Sequence, residues 1–238
     1  MDNINLWSFI ILISYYIIFA GSISLLDYLT SYKREWIRKG YHLLYSFSLI
    51  IYFYLFSSWY TSIIAIITIT LLGTLILKIA EKSPALMKLS ISRSSALGEV
   101  IRQMNYAHSL FIVLLFIFRF LWPEYHYHAL TGVIIWGFGD AAAALAGKKY
   151  GKNHFYNSIF AEAKTIEGTM AFVFFSLLPA FLVLYFLGNF NFGLALLIAL
   201  ILCISAALLE ALSRKGLDTL TVPLSTSLIL LLLDILIL

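Results

Sequence analysis

Eight long apolar runs constrain the fold of this chain more than any other feature. They fall near residues 5–26, 41–56, 60–79, 107–122, 129–147, 168–187, 190–212 and 219–238. A segment of about 20 mostly apolar residues is long enough to cross a bilayer, and a helix satisfies its own backbone groups in hydrocarbon. With 62% apolar and 12% charged residues, the chain has too little charge to cover a soluble domain of 238 residues. We therefore expect an all-α, polytopic transmembrane helical bundle of about eight spans, forming one membrane domain over residues 1–238.

The distribution of Lys and Arg predicts the orientation of these spans. Fifteen of the sixteen basic residues lie in four alternate connections, at 27–40, 78–106, 148–166 and 213–218. Short cytosolic loops carry such an excess of positive charge, so both termini are expected outside. The remaining base, Arg119, lies near the end of the fourth run and is expected to snorkel to the headgroups. The predicted location is the cell membrane of a prokaryote or the endoplasmic reticulum of a eukaryote.

Four acidic residues lie near the inner ends of the predicted spans. They are Asp140, Glu167, Glu210 and Asp218. Asp140 lies about two turns inside its run, where a carboxylate is costly unless it is paired, and such groups are candidates for function. The plain alternatives are structural pairing of Asp140 with a lysine or hydroxyl, and helix capping by Asp218.

Basic residues and glycines near the same predicted face are candidates for binding phosphate. They are Arg38, Lys39, His42, Gly139, Gly147, Lys148, Gly151, Lys152, Lys164, Thr165, Gly168 and Thr169, with Glu167 among them in sequence. Flexible glycine backbone, lysine ammonium groups and helix N-terminal amides suit phosphate oxygens. The stretch from Gly147 to Gly151 is not a Walker A loop, because only three residues separate the glycines. Positive-inside anchoring, close helix packing and an N-cap at Thr165 are the structural alternatives.

Carboxylates and lysines together suit a metal-bound nucleotide. Acids hold Mg²⁺ or Mn²⁺, and cations neutralise the phosphates. A membrane surface is also where a cytosolic nucleotide and a lipid alcohol can meet. The net charge of +4 is spread among the loops, and no nucleic-acid partner is expected.

In order along the chain, between about residues 38 and 225, four motifs resemble those of a known family. They are Arg38-Lys39-x-x-His42, Gly139-Asp140 through Gly147 and Gly151, Lys164-Thr165-x-Glu167-Gly168-Thr169, and Glu210 followed by Asp218-x-x-x-x-Pro223. This set resembles the CTP-dependent lipid kinases, which include dolichol kinase, phytol kinase and the yeast-type diacylglycerol kinase. One departure is Thr219, which stands where the family often has Asn after the Asp.

The resemblance implies transfer of the γ-phosphoryl group of CTP, or of another nucleoside triphosphate, to a prenol-type alcohol such as phytol, farnesol, dolichol or polyprenol. It also implies a divalent metal and a site that faces the cytosol. On this resemblance Asp140, Glu210 and Asp218 are the predicted metal ligands and catalytic residues. A diacylglycerol kinase and a phosphatidate cytidylyltransferase-like enzyme are the nearest alternatives, the second attacking the α-phosphate. A transporter or membrane scaffold is the alternative outside enzymes. The oligomeric state is not predicted.

Overall fold

The computed structural model describes residues 3–29, 34–82, 97–155, 164–213 and 217–237. These parts of the chain contain eight long α-helices. In chain order they are α1 Asn3–Leu29, α2 Arg34–Tyr54, α3 Trp59–Glu81, α4 Leu97–Leu115, α5 His126–Tyr150, α6 Ile166–Phe186, α7 Phe192–Leu212 and α8 Asp218–Ile237. A π-helical turn at Phe116–Leu121 extends α4, and a 3₁₀ turn at Pro123–Tyr125 precedes α5. The all-α fold expected from the sequence is confirmed.

Seven of the eight helices are long and apolar enough to cross a membrane, by length and composition. The exception is α2, which carries Arg34, Glu35, Arg38 and Lys39 in its first two turns. The orientation of the spans stays a prediction, since the basic connections fall partly at 30–33, 83–96, 156–163 and 214–216, outside the described residues. The helices form two compact units, Met1–Phe120 and Leu121–Leu238.

In the first unit, α1 and α2 pack antiparallel through side chains that bridge the pair. The side chain of Asn5 accepts hydrogen bonds from the backbone and hydroxyl of Ser57, at 3.1 and 3.0 Å. The Tyr15 hydroxyl donates to the Leu44 carbonyl at 2.6 Å, half-way along the pair. Hydroxyl groups that find carbonyl acceptors stabilise helix pairs in lipid, where water cannot compensate them.

Arg119 is bound within the first unit. Its guanidinium donates to the carbonyls of Tyr52 and Phe56, at the end of α2, and to the Ser62 hydroxyl at 2.9 Å. The last carbonyls of a helix have no partner within it and carry partial negative charge, so a cation there is favourable. Arg119 therefore caps α2, a role that the snorkelling expectation missed.

In the second unit, α5 is the central helix and packs against α6, α7 and α8. Every residue from Tyr127 to Ala141 except Phe138 is buried. Gly132 permits the closest approach, because a Cβ there would lie 2.4 Å from the Pro223 carbonyl of α8. Gly139 likewise leaves space for the Phe172 ring of α6. Small residues thus bring α6 and α8 close to α5.

Candidate active site

Three carboxylates from three helices of the second unit converge at one end of α5. Asp140 lies within α5, Glu210 is in the last turn of α7, and Asp218 is the first residue of α8. One oxygen of each lies within 4.8 Å of the others. Asp140 and Glu210 are 3% and 2% exposed, and Asp218 is half-buried. The three predicted metal-ligating residues are therefore brought together.

The connection between α7 and α8 fixes two of these carboxylates. Ser213 ends α7, and its backbone N–H donates to the carbonyls of Leu209 and Glu210 at 3.0 and 3.2 Å. The hydroxyls of Ser213 and Thr221 lie 2.9 Å apart and join the end of α7 to the first turn of α8. Asp218 lies in that first turn, where the helix dipole favours negative charge. These contacts join the two helix ends that carry Glu210 and Asp218, and both acids lie close to Asp140.

Lys164 supplies a cation to this cluster. Its ammonium contacts Glu210 Oε1, and its side chain is 25% exposed. Burial by itself lowers the pKa of Lys164, but the Glu210 carboxylate raises it, with further contributions from Asp218 and Asp140. The net pKa lies above the ordinary lysine value. Lys164 is therefore a cation at neutral pH that offsets part of the negative charge of the three acids.

A short backbone pairing positions Lys164. The N–H of Ile166 donates to the Asn153 carbonyl at 2.9 Å, and the N–H of Phe155 donates to the Lys164 carbonyl at 3.4 Å. Glu167 reinforces the pairing, since its carboxylate accepts from the Asn153 backbone at 3.2 Å and from the Asn153 amide at 2.7 Å. Glu167 thus stabilises the backbone pairing of Asn153 with Ile166 and is not one of the three clustered carboxylates.

Thr165 is the N-cap of α6, as the sequence suggests, because its hydroxyl accepts from the Gly168 N–H at 3.2 Å. The neighbouring glycines allow α5 and α6 to touch here. A Cβ on Gly168 would lie 3.0 Å from the Ala143 carbonyl, and one on Gly151, directly after α5, would lie 2.7 Å from Thr165 Cγ2 at the start of α6. Helix packing therefore accounts for these glycines in the described contacts.

The remaining candidates are divided between the two units: Lys148, Lys152 and Thr169 belong to the second, and Arg38, Lys39 and His42 belong to the first. Lys148 and Lys152 are exposed, and the Thr169 hydroxyl donates to the Thr165 carbonyl at 3.2 Å. In the first unit, Lys39 and His42 are buried, and Arg38 forms an ion pair with Glu35 within α2. Their proposed part in phosphate binding stays a prediction.

A second polar cluster, which the sequence analysis missed, lies at the opposite end of α5. The Tyr127 hydroxyl donates to Asp234 of α8, and His128 Nε2 lies 2.9 Å from the same Oδ2 atom. His128 is fully buried, and Asp234 is 6% exposed. An aspartate in the apolar run Leu230–Ile237 was the sequence signal for this cluster, since intramembrane carboxylates need partners.

The carboxylate cluster has the chemistry of a divalent-cation site. Its donors are all carboxylate oxygens, which suit hard cations such as Mg²⁺ and Mn²⁺. Lys164 contacts Glu210 and directly precedes the N-cap of α6, and an ammonium and helix N-terminal N–H groups both favour an anion such as phosphate. The fold and this cluster together define an all-α membrane protein with an acid–lysine site at one end of a four-helix unit.

One comparison with known proteins points to a particular relative. The chain is 35% identical over 104 residues to a phytol kinase from Synechocystis sp. (strain ATCC 27184 / PCC 6803 / Kazusa). The match spans 42% of this chain and 42% of the length of that protein. No protein-family model and no solved structure matches the chain. The similarity supports the relationship to the CTP-dependent lipid kinase family that the motifs suggest.

Proposed function

We propose that this chain is a membrane-embedded lipid kinase, which transfers the γ-phosphoryl group of CTP, or of another nucleoside triphosphate, to a prenol-type lipid alcohol. The observation that carries the proposal is the convergence of Asp140, Glu210 and Asp218 within 4.8 Å, with Lys164 in contact with Glu210. The similarity to a phytol kinase supports the same reaction class.

In the proposed reaction, the lipid hydroxyl oxygen attacks the γ-phosphorus, and the bond from that phosphorus to the β–γ bridging oxygen breaks. The products are a lipid monophosphate and the nucleoside diphosphate. Asp140, Glu210 and Asp218 would hold Mg²⁺ or Mn²⁺, which supplies charge neutralisation to the phosphates when bound. One of these carboxylates accepts the hydroxyl proton, and Lys164 binds a phosphate oxygen.

A radioactive label placed at the α or the γ phosphate of the nucleotide distinguishes a kinase from a nucleotidyltransferase. The purified chain in nanodiscs is incubated with Mg²⁺ and with CTP or ATP labelled at either the α or the γ phosphate. The acceptors are phytol, farnesol, a polyprenol, dolichol, diacylglycerol and phosphatidate, and reactions without acceptor are the controls. We expect label in the lipid from the γ position and from a prenol-type acceptor.

Each other outcome identifies a different enzyme or none. Label from the α position with phosphatidate indicates a cytidylyltransferase, and γ-label in diacylglycerol alone indicates a diacylglycerol kinase. The absence of label in every lipid, with folded protein and both nucleotides, contradicts the proposal and favours a transporter or scaffold.

A further inference from the structure

Lys164 has two possible partners in the site, and they belong to different steps of binding. Its ammonium contacts Glu210, one of the three carboxylates that could hold a metal ion. Lys164 also lies directly before α6, whose N-terminus favours anions. A divalent cation on Glu210 and an ammonium on the same carboxyl group repel each other. Occupation of both positions is therefore unfavourable.

Exposure shows which of the two partners can move. Glu210 is 2% exposed and Asp140 is 3% exposed, and both lie on helices that pack within the unit. The side chain of Lys164 is 25% exposed and lies outside a helix, so its four methylene groups can turn away from the cluster. Its backbone is held by the pairing with residues 153–155. The ammonium can thus change partner while the residue stays in place.

We propose that Lys164 exchanges Glu210 for a nucleotide phosphate when the metal–nucleotide complex binds. This inference rests on the proposed function. In the exchange, the metal takes over the neutralisation of Glu210, and the released ammonium neutralises the phosphate that arrives with the metal. Free metal therefore binds weakly because it must displace Lys164, and nucleotide strengthens metal binding because it gives the displaced ammonium a new partner. Lys164 links the two binding events.

Measurement of Mn²⁺ binding without turnover tests the exchange. The full chain in nanodiscs is titrated with Mn²⁺, and free Mn²⁺ is followed by electron paramagnetic resonance, with and without CTP and without any lipid alcohol. We expect Lys164→Met to bind Mn²⁺ alone about 5-fold tighter than the wild type, or more, and to lose most of the enhancement by CTP. Lys164→Arg keeps the competing charge and should resemble the wild type.

Lys149→Met is the matched control for charge. Lys149 is also a lysine of the second unit, in the last turn of α5, but its ammonium lies 4.8 Å from the centroid of the Tyr150 ring. This variant loses the same charge and should retain wild-type Mn²⁺ affinity. Asp140→Asn is the control for the metal site and should bind Mn²⁺ weakly under every condition.

A second measurement uses the unmodified protein, so it does not depend on the folding of a variant. Acetylation of lysines by an amine reagent is quantified by mass spectrometry, with Lys149 as the internal reference. Mn²⁺ alone should raise the reactivity of Lys164, since it displaces the ammonium from Glu210, and CTP added with Mn²⁺ should lower it again.

The outcomes separate failure of this inference from failure of the proposed function. If wild-type protein binds Mn²⁺ through Asp140 but Lys164→Met binds it no tighter, or Mn²⁺ leaves Lys164 reactivity unchanged, the exchange is wrong and the metal site stands. If neither the wild type nor Lys164→Met binds Mn²⁺ with or without CTP, both the metal site and the exchange are wrong. If γ-label reaches no lipid while the Mn²⁺ results hold, the exchange stands and the kinase assignment is wrong.

Discussion

At the scale of single residues, the candidate active site holds three carboxylates and one lysine, and this excess of negative charge affects its stability. Asp140, Glu210 and Asp218 lie within 4.8 Å of one another, and Lys164 contacts Glu210. Carboxylates this close repel each other when ionised, so their arrangement costs stability unless cations offset it. Sites that favour function at the expense of stability are typical of enzymes. We therefore expect the three acids to contribute more to the proposed function than to the stability of the fold.

Replacement of Asp140 by Asn tests this trade-off. We expect activity to fall on the order of 10²-fold or more, since a ligand and a charge are lost. The melting temperature should not fall, because the substitution keeps the shape and relieves repulsion among the acids. Lipid phosphorylation and thermal unfolding of the same preparation measure the two effects. Turnover equal to that of the wild type would remove Asp140 from the mechanism.

The buried cluster of Tyr127, His128 and Asp234 links α5 to α8 through polar side chains. His128 Nδ1 lies 2.8 Å from the Tyr125 carbonyl, which only accepts hydrogen bonds, so this nitrogen carries a hydrogen. The other ring nitrogen, Nε2, lies 2.9 Å from Asp234 Oδ2, and the Tyr127 hydroxyl donates to the same oxygen. The Asp234 carboxylate therefore joins α8 to two side chains of α5.

Asp234→Leu should therefore destabilise the protein by about 1–3 kcal/mol, because Tyr127 loses its buried acceptor and His128 loses its buried polar neighbour. Thermal unfolding in detergent measures the loss. Leu236→Ala is a matched control two residues along α8, where the side chain is 79% exposed and should contribute little. Equal melting temperatures for Asp234→Leu and the wild type would show that the cluster does not stabilise the helix pair.

At the scale of helices, close backbone approach sets the geometry that the acids need. The α5–α8 pair is antiparallel, with Tyr127 near Asp234 at one end, Gly132 near Pro223 and Ser227 between, and Asp140 near Asp218 at the other. Side chains along one pair of helices thus determine where both polar clusters form. A change at the crossing point should disturb the carboxylates at its end.

Gly132→Ala tests the importance of this crossing. The added Cβ would lie 2.4 Å from the Pro223 carbonyl and 2.3 Å from the Ser227 hydroxyl, and a backbone atom cannot move aside cheaply. We expect a loss of about 1–3 kcal/mol from overpacking, measured by thermal unfolding, with weaker Mn²⁺ binding. Gly21→Ala in α1 is the control, because nothing lies within 4 Å of its added Cβ. A similar loss in both variants would point to a general effect of helical glycine and not to the crossing.

At the scale of the whole molecule, orientation in the membrane decides which solution reaches the carboxylates. Helix α5 has 25 residues and is about 37 Å long, enough to cross a hydrocarbon core of about 30 Å. Glu124, in the turn before α5, and Lys149, in its last turn, therefore face opposite solutions if α5 spans the bilayer. The positive-inside pattern predicts that the Lys149 end faces the cytosol, where nucleotide would be available.

Cysteine labelling in intact cells tests this orientation. In a Cys203→Ala background, Glu124→Cys should react with an impermeant maleimide added outside, and Lys149→Cys should react only after the membrane is permeabilised. Both positions are exposed in the structure, so burial does not explain a difference between them. The reverse pattern would place the carboxylate cluster outside and would separate it from cytosolic nucleotide.

The sequence by itself determined the helical class, the long apolar helices and the identity of the three acids, because hydrocarbon excludes unpaired charge and makes each exception conspicuous. It did not determine the contact of Lys164 with Glu210, the capping of α2 by Arg119, or the pairing of His128 with Asp234. The paired residues are far apart in sequence: Lys164 and Glu210 by 46 positions, Arg119 and Tyr52 by 67, and His128 and Asp234 by 106. These contacts depend on which helix faces pack together, and the small residues at the crossings decide this only when the chain is folded.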